Sequence, residues 1–306
     1  MFAHYYRQAE SGEAGIIPEV GIEPLLDHPQ LDGIEISEAD VGAAFSQTVI
    51  IKLNGSLGTS MGLDQAKFLL TVRNGKNFLD LIVVQVLHAR QANGVRLPLL
   101  FRNSFRTRDD TLPYLERYPE LAVDGLPLDF LQSVEPKIRR DDLTPVEWPA
   151  DPSLEWCPPG HGDVYPARWG SGVLDALLDA GFRYVGIANG DNLGAAPNSV
   201  LAGWFAGTGA LCAAEVCLRT VNDRKGGHLA IRKADGQLIL RDTAQTAPEE
   251  TVYFTDEFQN PYFHANNLWL DLRQVRDTLV ERGGVLGLPL IRNLKTVDPA
   301  APPRRR

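Results

Sequence analysis

The chain has 306 residues with a formal net charge of −9, 44% of them hydrophobic and 23% charged. That length buries a large core, as one big α/β domain or two smaller ones, with a composition ordinary for globular proteins. The acidic balance argues against nucleic acid as a partner, because polyanion binders present a basic face.

Residues 1–47 read as an N-terminal layer of helix and loop, broken at Glu23-Pro24 and His28-Pro29. Thr48 then opens an apolar, β-branched run, Val49-Ile50-Ile51, that suits a buried strand. A glycine-rich turn follows, with Gly55, Gly58 and Gly62 among small residues, and Lys67 falls at the start of an expected helix. Glycine takes positive φ without penalty and lets successive N–H groups converge on an anion, so this turn suits a nucleotide phosphate. It lacks the Gly-Lys-Ser/Thr ending of the NTPase phosphate loop and the G-x-G opening of the dinucleotide fingerprint. Spacing alone leaves a nucleotide loop and an ordinary strand-to-helix turn both open.

Residues 78–90 have helical spacing, and 97–101 form a short apolar strand of an alternating β-α-β chain. A polar turn is expected over 103–108. Gln132, at the end of a further strand, carries an amide that both donates and accepts, which suits reading a base or satisfying nearby backbone. In Cys157-Pro158-Pro159-Gly160-His161-Gly162-Asp163 the prolines stiffen the chain and the glycines let it lie flat against a ring. Residues 171–181 read as a short helix closed by glycine, and 184–188 as a buried strand.

Asn189-Gly190-Asp191-Asn192-Leu193-Gly194 follows that strand's carboxyl end, where open α/β sheets bind their ligands. Asp191 there suits a hard divalent cation or an Asx turn. Gly226-Gly227 fits a hairpin turn, and 237–245 a strand leading into a loop. Asn266 and Asn267, in Phe263-His264-Ala265-Asn266-Asn267-Leu268-Trp269, suit ligand hydroxyls or backbone capping. Cys157, Cys212 and Cys217 are too few and wrongly spaced for zinc, and their odd number argues for a reducing, cytoplasmic setting. The longest apolar stretch, 200–214, is too short to span a bilayer and reads as a buried helix running into a strand, so no membrane contact is expected.

These motifs resemble those of eukaryotic-type UTP–glucose-1-phosphate uridylyltransferases, also called UDP-glucose pyrophosphorylases. That family reads L-N-G-G-L-G-T-x-M-G with a later lysine. Here Leu53-Asn54-Gly55-Ser56-Leu57-Gly58-Thr59-Ser60-Met61-Gly62 precedes Lys67, with Ser56 standing for a glycine. The family's F-x-Q-x-x-x-P-K/R, P-P-G-H-G, N-x-D-N-L-G and K-G-G are matched at Gln132, Gly160-His161, Asn189-Asp191 and Gly226-Gly227. Its F-N-T-N-N-L-W is matched at Asn266-Asn267, with His264 replacing an asparagine, and Asp242 falls where it often has glutamate.

The resemblance implies a nucleotidyltransferase-type α/β fold over residues 48–290, a central mixed, mostly parallel sheet flanked by helices. It implies UTP and glucose 1-phosphate as substrates, UDP-glucose and pyrophosphate as products, and Mg²⁺ as cofactor. Leu53, Asn54, Gly55, Ser56, Gly58, Lys67, Gln132 and Gly160 would bind the nucleotide. Lys67, Asp191 and His161 would serve catalysis, with Asp191 on the metal, while His161, Asn189, Gly227, Asn266 and Asn267 would hold sugar and phosphate. His264 keeps a UDP-N-acetylhexosamine pyrophosphorylase as the alternative within the class. The likeness runs over residues 48–299, short of the family's later core segment, its phosphate-binding lysine and its β-helix, and 291–306 read as a partly disordered tail. That shortness keeps a non-catalytic binder of UTP or a UDP-sugar as the alternative outside it.

Overall fold

Thr48–Asn54 forms strand β1, buried along its length except at half-buried Leu53. Its β-branched residues fit a pleat covered on both sides. Val49 and Ile51 enter one apolar layer with Leu100, Val185 and Leu270, while Ile50 enters the other with Leu99, Phe101 and Phe205. Leu99–Asn103 (β2), Asp129–Leu131 (β3), Tyr184–Asn189 (β4), Cys212–Leu218 (β5) and Tyr262–Asp271 (β6) complete the sheet, in the order β5-β6-β4-β1-β2-β3. Strand β1 is parallel to β2 and β4, and β2 to β3, whereas β6 is antiparallel to both β4 and β5. The computed structural model describes residues 2–55, 66–294 and 296–297. Ser56, Gly58 and residues 298–306 of the expected tail lie outside them.

Helices cover both faces. Phe78–Asn93 and Ser199–Thr208 pack on the Ile50 face, and Val173–Asp179 and Leu272–Glu281 on the Val49 face. The mixed, mostly parallel sheet between helical layers is the architecture expected from the sequence. The apolar 200–214 stretch covers all but the first residue of the Ser199–Thr208 helix and the start of β5. Among the described residues no helix is long and apolar enough to cross a membrane.

Two local expectations fail, each for a stated reason. Lys67 does not open a helix; it opens a three-residue 3-10 turn, Lys67–Leu69. The chain then makes a small hairpin, Thr71–Arg73 with Lys76–Asn77, whose turn residues Asn74 and Gly75 have φ of 52° and 72°. Asn-Gly is the favoured pair for such a turn, so the helix waits until Phe78, where Asn77 and Asp80 cap each other. Residues 103–108 are not merely a turn, because the helix Phe105–Leu115 begins inside them. Ser104 and Thr107 form a reciprocal cap that supplies its start.

A second, three-stranded sheet orders Ile22–Pro24, His228–Arg232 and Leu238–Arg241. Arg241 is wholly buried between the carboxylates of Glu19 and Glu250, which ties the N-terminal segment to this sheet. A guanidinium stripped of water needs such partners.

Two packing features have measurable consequences. Gly190 follows β4 and donates its N–H to the Leu53 carbonyl at 3.2 Å, and a Cβ there would lie 1.9 Å from the buried Phe68 ring. Gly190→Ala is therefore expected to lose about 1–3 kcal/mol in urea unfolding, the usual cost of overpacking. Lys52, also in β1, is 1% exposed, and burial lowers its ammonium pKa to about 8 despite the opposing pull of Glu215. Between about pH 8 and the ordinary lysine value the unfolded chain binds the extra proton, so this group's contribution to stability rises with pH. At pH 7 the charged form costs on the order of 3 kcal/mol. Lys52→Met is expected to gain stability relative to the parent at pH 7, with the gain shrinking by pH 10. Parallel unfolding curves at both pH values check this.

Candidate active site

The carboxyl ends of β1, β2 and β4 present three asparagines, Asn54, Asn103 and Asn189. Asn54 Nδ2 donates to Asn103 Oδ1 and to Thr111 Oγ1, both at 2.8 Å, and Asn103 Nδ2 donates to Asp129 at 3.1 Å. Thr107 Oγ1 donates to the Asn54 carbonyl at 2.6 Å. Neutral amides thus clamp the point where the glycine-rich turn leaves the sheet. Leu53 contributes its carbonyl to the turn after β4.

Gly55 meets Gln132 directly. A Cβ at Gly55 would stand 2.5 Å from Gln132 Oε1, so only glycine lets the two meet as they do. Gln132 is itself fixed by its N–H to the Asn103 carbonyl at 2.8 Å. The next residue, Ser133, donates its N–H to Asp163 Oδ2 at 2.8 Å, and Arg102 donates to the same oxygen at 2.5 Å. Asp163 therefore ties the Pro-Pro-Gly-His-Gly loop to β2 and to the residue that follows Gln132. Gly160 has φ of 99° and ψ of −172°, a conformation left to glycine, and it turns the chain into the short 3-10 helix His161–Asp163.

A second cluster adjoins the first. Asn266 Nδ2 donates to Asn189 Oδ1 at 2.8 Å and lies 3.3 Å from His161 Nε2. Asn266 reaches this position because β6 bulges. Glu215 of β5 pairs with Asn267 and the next residue, Val216, with His264, which leaves Ala265 and Asn266 without partners in the register. The bulge puts Asn266 in the left-handed region at φ 57°, one that asparagine tolerates better than most residues. Asn267 is buried, with its Nδ2 on Glu215 at 3.0 Å and its Oδ1 accepting from Asn192 at 3.3 Å, which leaves one donor and one acceptor site of the amide uncommitted. Gly227 closes this side, with its carbonyl accepting from the His264 N–H at 2.8 Å. A Cβ on Gly227 would come within 3.0 Å of the Arg241 carbonyl and 3.5 Å of Asp242 Oδ2.

Lys67 and Asp191 form an ion pair at 2.5 Å, both partly exposed, between the hairpin segment and the turn after β4. His161 sits on the solvent side of the site. The surrounding protein, together with the Arg102 guanidinium, holds its imidazole below the ordinary histidine value, and Asp242 opposes this. Burial lowers His264 in the same way, against the favourable Glu215 backbone. Both rings are therefore neutral near pH 7. Lys67, Asp191, His161, Asn189, Asn266 and Asn267 come together, as do Gly55 and Gln132, which the Asp163 tie links to Gly160. Three further contributors went unread in the sequence: Arg102 with Asp163, Lys52, and Glu215. Their signal was a charge inside an apolar run, as in Val49-Ile50-Ile51-Lys52.

The sequence model of the family described as UTP–glucose-1-phosphate uridylyltransferase matches residues 1–302. The uridylyltransferase of that name from Solanum tuberosum is 37% identical over 285 residues, which span 92% of this chain and 56% of the potato protein. The one from Saccharomyces cerevisiae is 38% identical over 82% of this chain and 50% of its own length. The crystal structure of UDP-glucose phosphorylase from Trypanosoma brucei matches with a TM-score of 0.90 and 41% identity, over 98% of this chain and 64% of that one. A mutant UDP-glucose pyrophosphorylase from Leishmania major, in complex with UDP-glucose, matches with a TM-score of 0.89 and 39% identity, over 98% and 64%. The chain spans little more than half the length of the curated relatives it matches. With its amide-lined site at the sheet's carboxyl edge, the chain belongs to the UTP–glucose-1-phosphate uridylyltransferase family.

Proposed function

We propose that the chain makes UDP-glucose and pyrophosphate from UTP and glucose 1-phosphate. A phosphate oxygen of glucose 1-phosphate attacks the α-phosphorus of UTP, and the bond to pyrophosphate breaks in line with that attack. The observation that carries this reading is the adjacency of a Gly55–Gln132 contact and a His161–Asn189–Asn266 cluster at one sheet edge. Gln132, with one amide donor and one acceptor face, suits the edge of uracil, and Gly55 and Gly160 give the base and phosphates room beside bare backbone. Neutral His161 donates to or accepts from phosphate or sugar without changing its charge. Asn189, Gly227, Asn266 and Asn267 suit the hexose hydroxyls. Among the described residues no side chain of the site is set up as a covalent nucleophile, so the catalysis is positioning and neutralisation of charge.

Asp191 is the residue fitted to a divalent cation. Among the described residues no group of three His, Cys, Asp or Glu could cage a metal. One exposed carboxylate at the strand edge suits Mg²⁺, which keeps water and phosphate oxygens as its other ligands. When bound, the ion neutralises phosphate charge. Lys67, now held by Asp191, would turn to the phosphates as the carboxylate takes the cation. The relatives' glucose names support glucose over N-acetylhexosamine, and a panel of hexose 1-phosphates compares the two.

Pyrophosphate release from UTP and glucose 1-phosphate with Mg²⁺ tests the reading, beside calorimetry with UDP-glucose. Turnover is expected, whereas binding without turnover would establish a binder only. Lys67→Ala and Asp191→Ala are each expected to lower kcat by about 100-fold or more, in keeping with the loss of a preorganised charge at a phosphoryl centre. A variant that kept the parent's kcat would remove that residue from the mechanism.

A further inference from the structure

Two charged side chains with no place in that chemistry lie beneath the site. Lys52 shares its face of β1 with Ile50 and pairs in register with Phe101, inside the apolar layer under the Phe78–Asn93 helix. Its Nζ donates to the Ala195 carbonyl at 2.6 Å. Glu215 of β5 accepts from Asn267 Nδ2 at 3.0 Å and from Trp269 Nε1 at 2.9 Å. Glu215 is also the charged group whose field favours the Lys52 ammonium. A buried ammonium among apolar neighbours costs stability, and an apolar residue of similar volume would avoid that cost. Costs of this kind are characteristic of residues that serve a site rather than the fold.

The contacts of the two residues indicate which part of the site they serve. Ala195 ends the turn that carries Asp191. Gln85 Nε2 holds the same turn at the Leu193 carbonyl, at 2.8 Å, and Asn192 Nδ2 reaches Asn267 Oδ1 at 3.3 Å. Glu215 fixes which way the Asn267 amide faces. A flipped amide would set its oxygen against the carboxylate and its NH₂ against that of Asn192. Glu215 also begins the register step across from the bulge that turns Asn266 towards Asn189 and His161.

We propose that Lys52 and Glu215 are positioning residues for the sugar-phosphate side of the site, acting as one unit. Lys52 holds the Asp191 turn, Glu215 holds the Asn266–Asn267 bulge, and the Asn192–Asn267 amide bond joins the two. Neither is a catalytic residue, since Lys52 is closed to solvent and Glu215 acts through Asn267. The ligand assignment rests on the function proposed above, whereas the tether does not.

The test uses the full chain with Lys52→Met and, as a near-isosteric second variant, Glu215→Gln. Hydrogen exchange on the unliganded proteins is expected to speed up about tenfold or more at residues 190–195 and 263–267 together, in both variants. Residues 99–103, in β2, should be unchanged. Exchange that rose only in the segment next to each substitution, or throughout the sheet, would overturn the coupling. Calorimetry then compares UDP-glucose with UDP. In both variants the preference for UDP-glucose should fall about tenfold, with UDP affinity held within about twofold, because the uracil side is anchored separately through Asp163. Equal loss for both ligands would overturn the assignment to the sugar side. If the parent chain bound neither ligand, the proposed function would fail, and the exchange result would still decide the tether.

Discussion

The burial of β1 on both faces is the constraint on which the rest of the site depends. A one-residue slip of a strand covered by two helical layers would exchange its faces and drive Val49 and Ile51 into the space packed around Ile50, so close packing on both sides fixes its register. Its carboxyl end therefore emerges at a fixed place between β2 and β4, and the glycine-rich turn begins there. The three asparagines at these strand ends use that fixity. Amides that donate and accept at once can bridge strands without introducing net charge at the mouth of the site.

The reversed strand β6 supplies what a purely parallel sheet would lack. Parallel neighbours all deliver their loops at the carboxyl edge, whereas an antiparallel strand passes the edge partway along its own length. The bulge of β6 lies on that passage, so Asn266 and Asn267 come to the site from within a strand. A strand is stiffer than a loop, and its pairing with β5 on both sides of the bulge and with β4 from Leu268 onward anchors that bulge.

Much of the sheet was legible in the sequence, because its strands are apolar runs and Phe78–Asn93 has clear helical spacing with a capping pair. The glycine and asparagine motifs were legible as well, since close backbone approach leaves few choices of residue. The misreadings were local or long-range. Asn74-Gly75 and Ser104-x-x-Thr107 are short turn and cap signals that were passed over for the nearby motif letters. The meeting of His161 with Asn266 spans 105 residues and depends on a bulge, which no periodicity announces. Lys52 drew no reading from the sequence, since its role depends on Ala195, far away in the chain.

The site combines strong fixed parts with one weak part. Amide pairs and the buried Arg102–Asp163 pair have little freedom, because breaking either would leave polar groups unpaired away from water. The Lys67–Asp191 pair is different: both side chains are about one-third exposed, at 29% and 37%. Ion pairs so open to solvent contribute about 0–1 kcal/mol, so this one can be separated at little cost. On the proposed reading, the charges that can be exchanged are thus the exposed Lys67–Asp191 pair, while the fixed parts are amides and buried charges already paired with each other. Phosphates and cation would enter by rearranging two exposed side chains, while the surfaces that identify base and sugar stay as they are.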